Sequence, residues 1–147
     1  MPMRVVLAFT LPLEPPLKLP FRYVIGYHFG VGRVLVVDDD AVILDLLRTV
    51  LADEGHAVAG FANLDAAPAD PSADLVITDL VPLSDYNARR AREWVAHLRD
   101  RYAGTPLIVV TAHNAALSEG DALGADAVVG KPFDVDVLLS KVRELLH

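Results

Sequence analysis

The residues best suited to chemistry stand where apolar runs stop. Asp38, Asp39 and Asp40 follow Val34–Val37, Asp79 follows Leu75–Thr78, Thr111 closes a run from Leu107, and Lys131-Pro132 comes after Ala127–Val129. Carboxylates gathered at neighbouring strand ends repel one another: two charges ~4 Å apart interact by roughly 4 kcal/mol at an effective dielectric of ~20. Without relief, one of them would stay protonated. A hard divalent cation relieves the repulsion. Oxygen ligands with an open, hydrated sphere suit Mg²⁺, which binds through one or two carboxylates and keeps waters and a substrate phosphate as its other ligands. Such a site fits transfer of a phosphoryl group to a carboxylate. The attacking carboxylate must be ionised and central, and Asp79, on the middle strand, meets that need. The transition state spreads charge over three equatorial oxygens. Mg²⁺ would hold one, the Lys131 ammonium another, and the Thr111 hydroxyl with loop N–H groups the third. Pro132 fixes the turn after Lys131, and a cis Lys131–Pro132 bond suits that turn.

These residues need elements to position them. Val34–Val37 is a continuous apolar run, as in a strand covered on both faces. Ala41 to Glu54 is expected to be a helix, with Ile43, Leu44, Leu47, Val50 and Leu51 at helical spacing. Asp40 is expected to cap it, and Gly55 to stop it. Ala57–Phe61 reads as a short strand. Asn63–Ala69 could form a helix kept short by Pro68 and Pro71. Leu75–Thr78 is a buried strand followed by a loop from Asp79 to Asn87. Ala88–Tyr102 reads as a helix burying Ala91, Trp94, Val95 and Leu98, and Gly104 ends it. Leu107–Val110 is a fourth strand, Leu117–Leu123 a short helix, Ala127–Val129 a fifth strand, and Val135–Leu146 a last amphipathic helix. Five β/α repeats with short connections imply an α/β fold, a doubly wound parallel sheet with helices on both faces. In such sheets the functional groups gather at the carboxyl ends of the strands, so the four polar positions should converge on one rim.

Composition narrows the class. The chain has 147 residues, enough for one domain with a real core, and its apolar fraction of 53% against 22% charged reads as globular. A net charge of −7 argues against direct nucleic-acid binding, which needs a basic stripe. The absence of cysteine removes disulfides, thiolate catalysis and zinc–thiolate sites, and fits a reducing, cytoplasmic setting. No run reaches the ~18 apolar residues needed to span a bilayer. The apolar stretch from Val5 is broken by Pro12, Pro15, Pro16 and Pro20 and lacks a clean small-residue cleavage site, so a secretion signal is not expected. His28, His56, His97, His113 and His147 show no ligand spacing. Gly130-Lys131 is not a phosphate-cradling loop, because the glycine spacing is wrong and Pro replaces Ser or Thr.

The chain divides near Gly32. Residues 1–32 form an N-terminal extension in which Phe21, Tyr23, Ile25, Tyr27 and Phe29 alternate like a strand. It reads either as an extra strand that pairs with a sheet edge or a partner chain, or as sequence upstream of a start near Val31. The second is favoured because residues 33–147 are self-contained.

The segments Val34-Leu-Val-Val-Asp-Asp-Asp40, Leu75-Val-Ile-Thr-Asp79, Val109-Val-Thr-Ala112 and Gly130-Lys-Pro-Phe133, in this order and spacing, resemble the receiver domain of two-component response regulators. The resemblance implies a flavodoxin-like (CheY-like) five-stranded sheet in strand order 2-1-3-4-5. It implies that Asp38 and Asp39 are the acidic pair for Mg²⁺, that Asp79 is both phosphoacceptor and metal ligand, and that the Val81 backbone carbonyl is a further ligand. Thr111 would be the switch hydroxyl and Lys131 the phosphate-contacting lysine. His113, two residues past Thr111, stands where receivers tune hydrolysis of the acyl phosphate. Three features depart from the pattern. Pro82 falls three residues after the acceptor rather than four. Asn87 takes roughly the usual glycine position, and Asn tolerates a left-handed backbone, so the turn can survive. Val128 replaces the aromatic commonly found three residues before the lysine, so the output is read differently or the switch is altered.

The implied function is a phosphorelay receiver. A sensor histidine kinase or phosphotransfer protein would donate to Asp79, and the chain would have no enzymatic activity beyond its own phosphorylation and dephosphorylation. With no DNA-binding module after His147, output is expected through an output protein, unless the chain is part of something longer; a homodimer is left open. The alternative is a degenerate receiver that docks or dimerises without phosphorylation. A hydrolase with an aspartyl-phosphate intermediate is disfavoured, since the second carboxylate such enzymes place two residues after the nucleophile is Val81 here.

Overall fold

The structure, a computed structural model, describes residues 31–68, 72–80 and 86–146. The strand-like pattern at 21–29, the question of the start, and Val81, Pro82, His28 and His147 lie outside them.

Strands β1 (Arg33–Val37), β2 (Ala57–Phe61), β3 (Leu75–Thr78), β4 (Leu107–Thr111) and β5 (Ala127–Gly130) form one sheet in the order β2-β1-β3-β4-β5. All four pairings are parallel. Parallel neighbours require crossovers, and the helices of those crossovers cover both faces. Strand alternation divides the core accordingly. Leu35, Val37, Val76, Leu107 and Val109 point to one side, where Ala91, Val95 and Leu98 meet them from α2 (Ala88–Arg101). Val34, Val36, Leu75, Ile77, Ile108 and Val110 point to the other. There they meet Leu47 and Leu51 of α1 (Ala41–Asp53) and Leu138, Leu139 and Val142 of the C-terminal helix α5 (Val135–Leu146). The unbroken apolar runs of β1, β3 and β4 are the consequence: residues on both faces are buried.

Helix α1 starts as expected. The Asp40 side chain accepts from the N–H groups of Val42 and Ile43. After its end at Asp53, Gly55 takes φ 96°, a left-handed geometry that favours glycine. Asn87 does not use the left-handed backbone it tolerates: it is extended (φ −138°), and its side chain caps α2 by accepting from Arg90 N–H.

Two expectations change. Residues 63–67 make turns, not a helix. Asn63 Oδ1 accepts from Ala66 N–H, Ala67 N–H reaches Leu64 O, and Pro68 then offers no N–H to continue. This connection is strapped down from α2 instead, by Arg101 to the Ala67 carbonyl and by Tyr102 OH to the Pro68 carbonyl (2.7 Å). The single helix expected over Leu117–Leu123 is two helices, α3 (Asn114–Ser118) and α4 (Gly120–Leu123), divided at Glu119. Ser118 Oγ donates back to the carbonyls of Asn114 and Ala115, a local bond that bends helices, and Glu119 departs to φ −109°, ψ 22°. Among the described residues, no helix is long and apolar enough to cross a membrane.

Candidate functional site

The sheet delivers the site by extending its own hydrogen bonds one residue past the strands. Asp38 N–H donates to Phe61 O (3.0 Å), Asp79 N–H to Val37 O (2.9 Å) and Lys131 N–H to Thr111 O (2.7 Å). Each functional backbone is thereby fixed to a neighbouring strand end, and the side chains meet at the carboxyl rim. One carboxylate oxygen each from Asp38, Asp39 and Asp79 lies within 4.8 Å of the others, with Asp38 buried, Asp39 exposed and Asp79 half-buried. Lys131 Nζ reaches over them, 2.8 Å from Asp38 Oδ2 and 3.3 Å from Asp79 Oδ2. The Lys131–Pro132 peptide is cis.

Asp38 is 1% exposed, and its second oxygen accepts from Asp40 N–H (2.9 Å). Burial pushes its carboxyl above the usual carboxylate range; the Lys131 ammonium and the Asp40 N–H offset that only in part, and the Asp79 charge adds to it. Burial pulls Lys131 the other way, but the bond to Asp38 and the charges of Asp79 and Asp38 outweigh it and hold the amine above its ordinary value. The two directions pull against each other, since a raised carboxyl opposes the ion pair that a raised amine favours. The geometry decides for the pair: an ammonium faced by two carboxylates at these distances keeps its proton, and Asp38 is ionised at a cost. Three carboxylates against one ammonium leave surplus negative charge on all-oxygen donors. That fits a hard divalent cation such as Mg²⁺.

Asp79 is held at both ends. Oδ1 accepts from Leu80 N–H (2.7 Å), and its carbonyl accepts from Thr78 Oγ1 (2.7 Å) and Trp94 Nε1 (3.2 Å). Trp94 reads from sequence as a core residue of α2. It is only half-buried, because its indole N–H serves the backbone of Asp79; no spacing in the sequence announces that bond.

Of the six residues assigned from sequence, the structure brings Asp38, Asp39, Asp79 and Lys131 together. Thr111 is fully buried at the end of β4, and its Oγ1 accepts from His113 N–H (3.0 Å). Val81 lies outside the described residues. Asp40 caps α1. Val128 packs against the α2 side of the core. Among the described residues, no histidine joins a group of metal-competent side chains.

A parallel sheet in this order, with an acidic carboxyl rim closed by a lysine, defines a flavodoxin-like α/β domain. The family model for the response regulator receiver domain matches residues 34–143, and the chain belongs to that family. It is 34% identical over 122 residues to the transcriptional regulatory protein GltR of Pseudomonas aeruginosa, covering 79% of this chain and 50% of GltR. It is 32% identical over 121 residues to the response regulator MprA of Mycobacterium tuberculosis, covering 78% and 50%. The chain thus spans about half the length of these curated relatives. Among solved structures it resembles a CheY-like receiver domain protein of Methanospirillum hungatei (TM-score 0.61, 28% identity, 79% of this chain and 94% of that one). It also resembles the chemotaxis regulator CheY4 of Vibrio cholerae (TM-score 0.60, 25% identity, 79% and 99%).

Proposed function

We propose that this receiver domain accepts a phosphoryl group on Asp79 from the phosphohistidine of a sensor histidine kinase or phosphotransfer protein, with Mg²⁺ at Asp38, Asp39 and Asp79. One observation carries the reading: Asp79 Oδ2 lies 3.3 Å from Lys131 Nζ and within one carboxylate cluster with Asp38 and Asp39. A nucleophile, a cation site and a fixed ammonium therefore share one rim.

Leu80 N–H holds Asp79 Oδ1, so the carboxylate presents Oδ2 toward Lys131. Attack forms an O–P bond as the donor's N–P bond breaks, and the imidazole leaves with the electron pair and takes up a proton. Lys131 Nζ, 3.3 Å from the attacking Oδ2, is then placed to pair with an oxygen of the transferred phosphoryl group. The bound Mg²⁺ supplies neutralisation of charge developing on the phosphoryl oxygens. The new charge, about −1.5 to −2, recruits the Thr111 hydroxyl and biases a two-state element at the rim. Beyond its own phosphorylation and dephosphorylation the domain has no enzymatic activity in this reading. It acts in the cytoplasm through a kinase and an output protein.

Intact-mass measurement after incubation with Mg²⁺ and a small acyl phosphate tests this. Wild type gains one phosphoryl mass and Asp79→Ala does not. No adduct in wild type, or an equal one in Asp79→Ala, ends the proposal. A second reading, a degenerate receiver working as a phosphorylation-independent docking or dimerisation module, is motivated by Val128. A complex or dimer that forms equally well with Asp79→Ala would favour it.

A further inference from the structure

Outside the acidic cluster, one chain of contacts joins the rim to the surface. Thr111 Oγ1 accepts from His113 N–H (3.0 Å). The His113 ring faces Tyr86, with centroids 5.8 Å apart and planes tilted by 41°. Tyr86 OH donates to Glu119 Oε1 (2.9 Å), and burial together with the Glu119 carboxylate raises the phenol's pKa, keeping the proton on the donor. Glu119 is the residue at which α3 stops and α4 begins. One side chain thus touches the residue that occupies the Thr111 hydroxyl and the joint between two short helices. It stands in sequence between Asp79 and α2.

That joint lies over β5. A β-carbon on Gly130 would come within 2.9 Å of Leu117 Cδ1, and one on Gly120 within 3.7 Å of Val128 Cγ2. Gly130 directly precedes Lys131. Strand β5 reads Ala-Val-Val-Gly and carries no aromatic ring, while Tyr86 sets one against His113 beside the helix pair. Tyr86, His113 and Glu119 are all half-buried, and contacts of that kind are weak enough to be broken and remade.

We propose that Tyr86 is a positioning residue for the switch. Its ring on His113 and its hydroxyl bond to Glu119 hold α3–α4 in the arrangement that keeps the Thr111 hydroxyl on His113. Recruitment of that hydroxyl to a phosphorylated Asp79 releases the hold and lets the helix pair move. The inference rests on Asp79 being the acceptor.

The test compares the full chain as wild type, Tyr86→Phe, Glu119→Ala and Asp79→Ala, with and without Mg²⁺ and acetyl phosphate. Intact mass and rapid-mixing amide exchange are read together. In the unphosphorylated state, Tyr86→Phe and Glu119→Ala exchange the amides of residues 114–123 about fivefold faster than wild type. Amides of β1 and β3 stay as in wild type, which a merely structural tyrosine would not guarantee, and both variants still take the phosphoryl group. In wild type the adduct accelerates exchange of the same segment, and in Tyr86→Phe it adds little. If the adduct forms while 114–123 exchange alike in wild type and both variants, the latch is overturned and the acceptor reading stands. It is equally overturned if phosphorylation accelerates the segment in Tyr86→Phe as much as in wild type. No adduct in wild type overturns both.

Discussion

On one half of the carboxyl rim, Asp38, Asp79 and Lys131 are the first residues past β1, β3 and β5, and their backbones continue the ladders of the sheet. Their side chains are packed and paired, with Lys131 14% and Asp38 1% exposed in the ion pair. On the other half, Thr111, His113, Tyr86 and Glu119 connect through mostly half-buried contacts to helices of five and four residues. In the proposed function the difference separates two tasks. Phosphoryl chemistry needs charges held in place before the reaction, which a sheet core supplies. A response to phosphorylation needs an element with two arrangements of similar energy, which short, lightly buried helices supply.

The largest effect that would break this comparison lies on the rigid half. Asp79→Ala should abolish the phosphoryl adduct without unfolding the domain, as read by intact mass and circular dichroism. Next is Lys131→Met, which leaves Asp38 buried without its cation and should cost about 3 kcal/mol in metal-free denaturant unfolding near pH 7. The sign of its pH dependence is fixed. A folded-state Lys131 pKa raised above 10.5 gives stability that is fully present below 10.5 and is lost as pH climbs through the folded value. The gap between wild type and Lys131→Met should therefore narrow above pH 10.5, and a gap that widens there would mean the ammonium is not what the site holds.

Magnesium should stabilise the same half. At 100 times its dissociation constant it should add about 2.7 kcal/mol, and Asp39→Asn, at an exposed ligand, should reduce that gain while leaving metal-free stability nearly unchanged. Equal gains in both proteins would remove Asp39 from the cation site. The smallest effect is expected on the yielding half. Gly130→Ala drives a β-carbon toward the end of Leu117, a side chain 40% exposed and able to turn away, and should cost about 1 kcal/mol in thermal unfolding. A loss as large as that of Lys131→Met would show that this half is as rigid as the other.

Much of this was legible before any coordinates. The apolar runs ending at Asp38, Asp79, Thr111 and Lys131 announced a parallel sheet with its polar residues at one edge, and the Asp40 cap followed from side-chain chemistry. Where local chemistry competed, the reading failed. Asn87 could have served a left-handed turn, but an Asn before a helix also caps it, and the cap prevailed. Residues 63–67 and 114–123 carry weak helical patterns, and there a side-chain bond or a missing N–H decided the outcome.

By itself the sequence determined which residues end the strands, because hydrophobic period and polar interruption are local properties of the chain. Only tertiary structure decided that Lys131 spans Asp38 and Asp79, that Trp94 serves the Asp79 carbonyl, and that Tyr86 reaches Glu119. Each of those contacts joins residues 15 to 93 positions apart. Hydrogen bonds act over a few ångströms of space, and the crossovers of the sheet set which distant residues come that close.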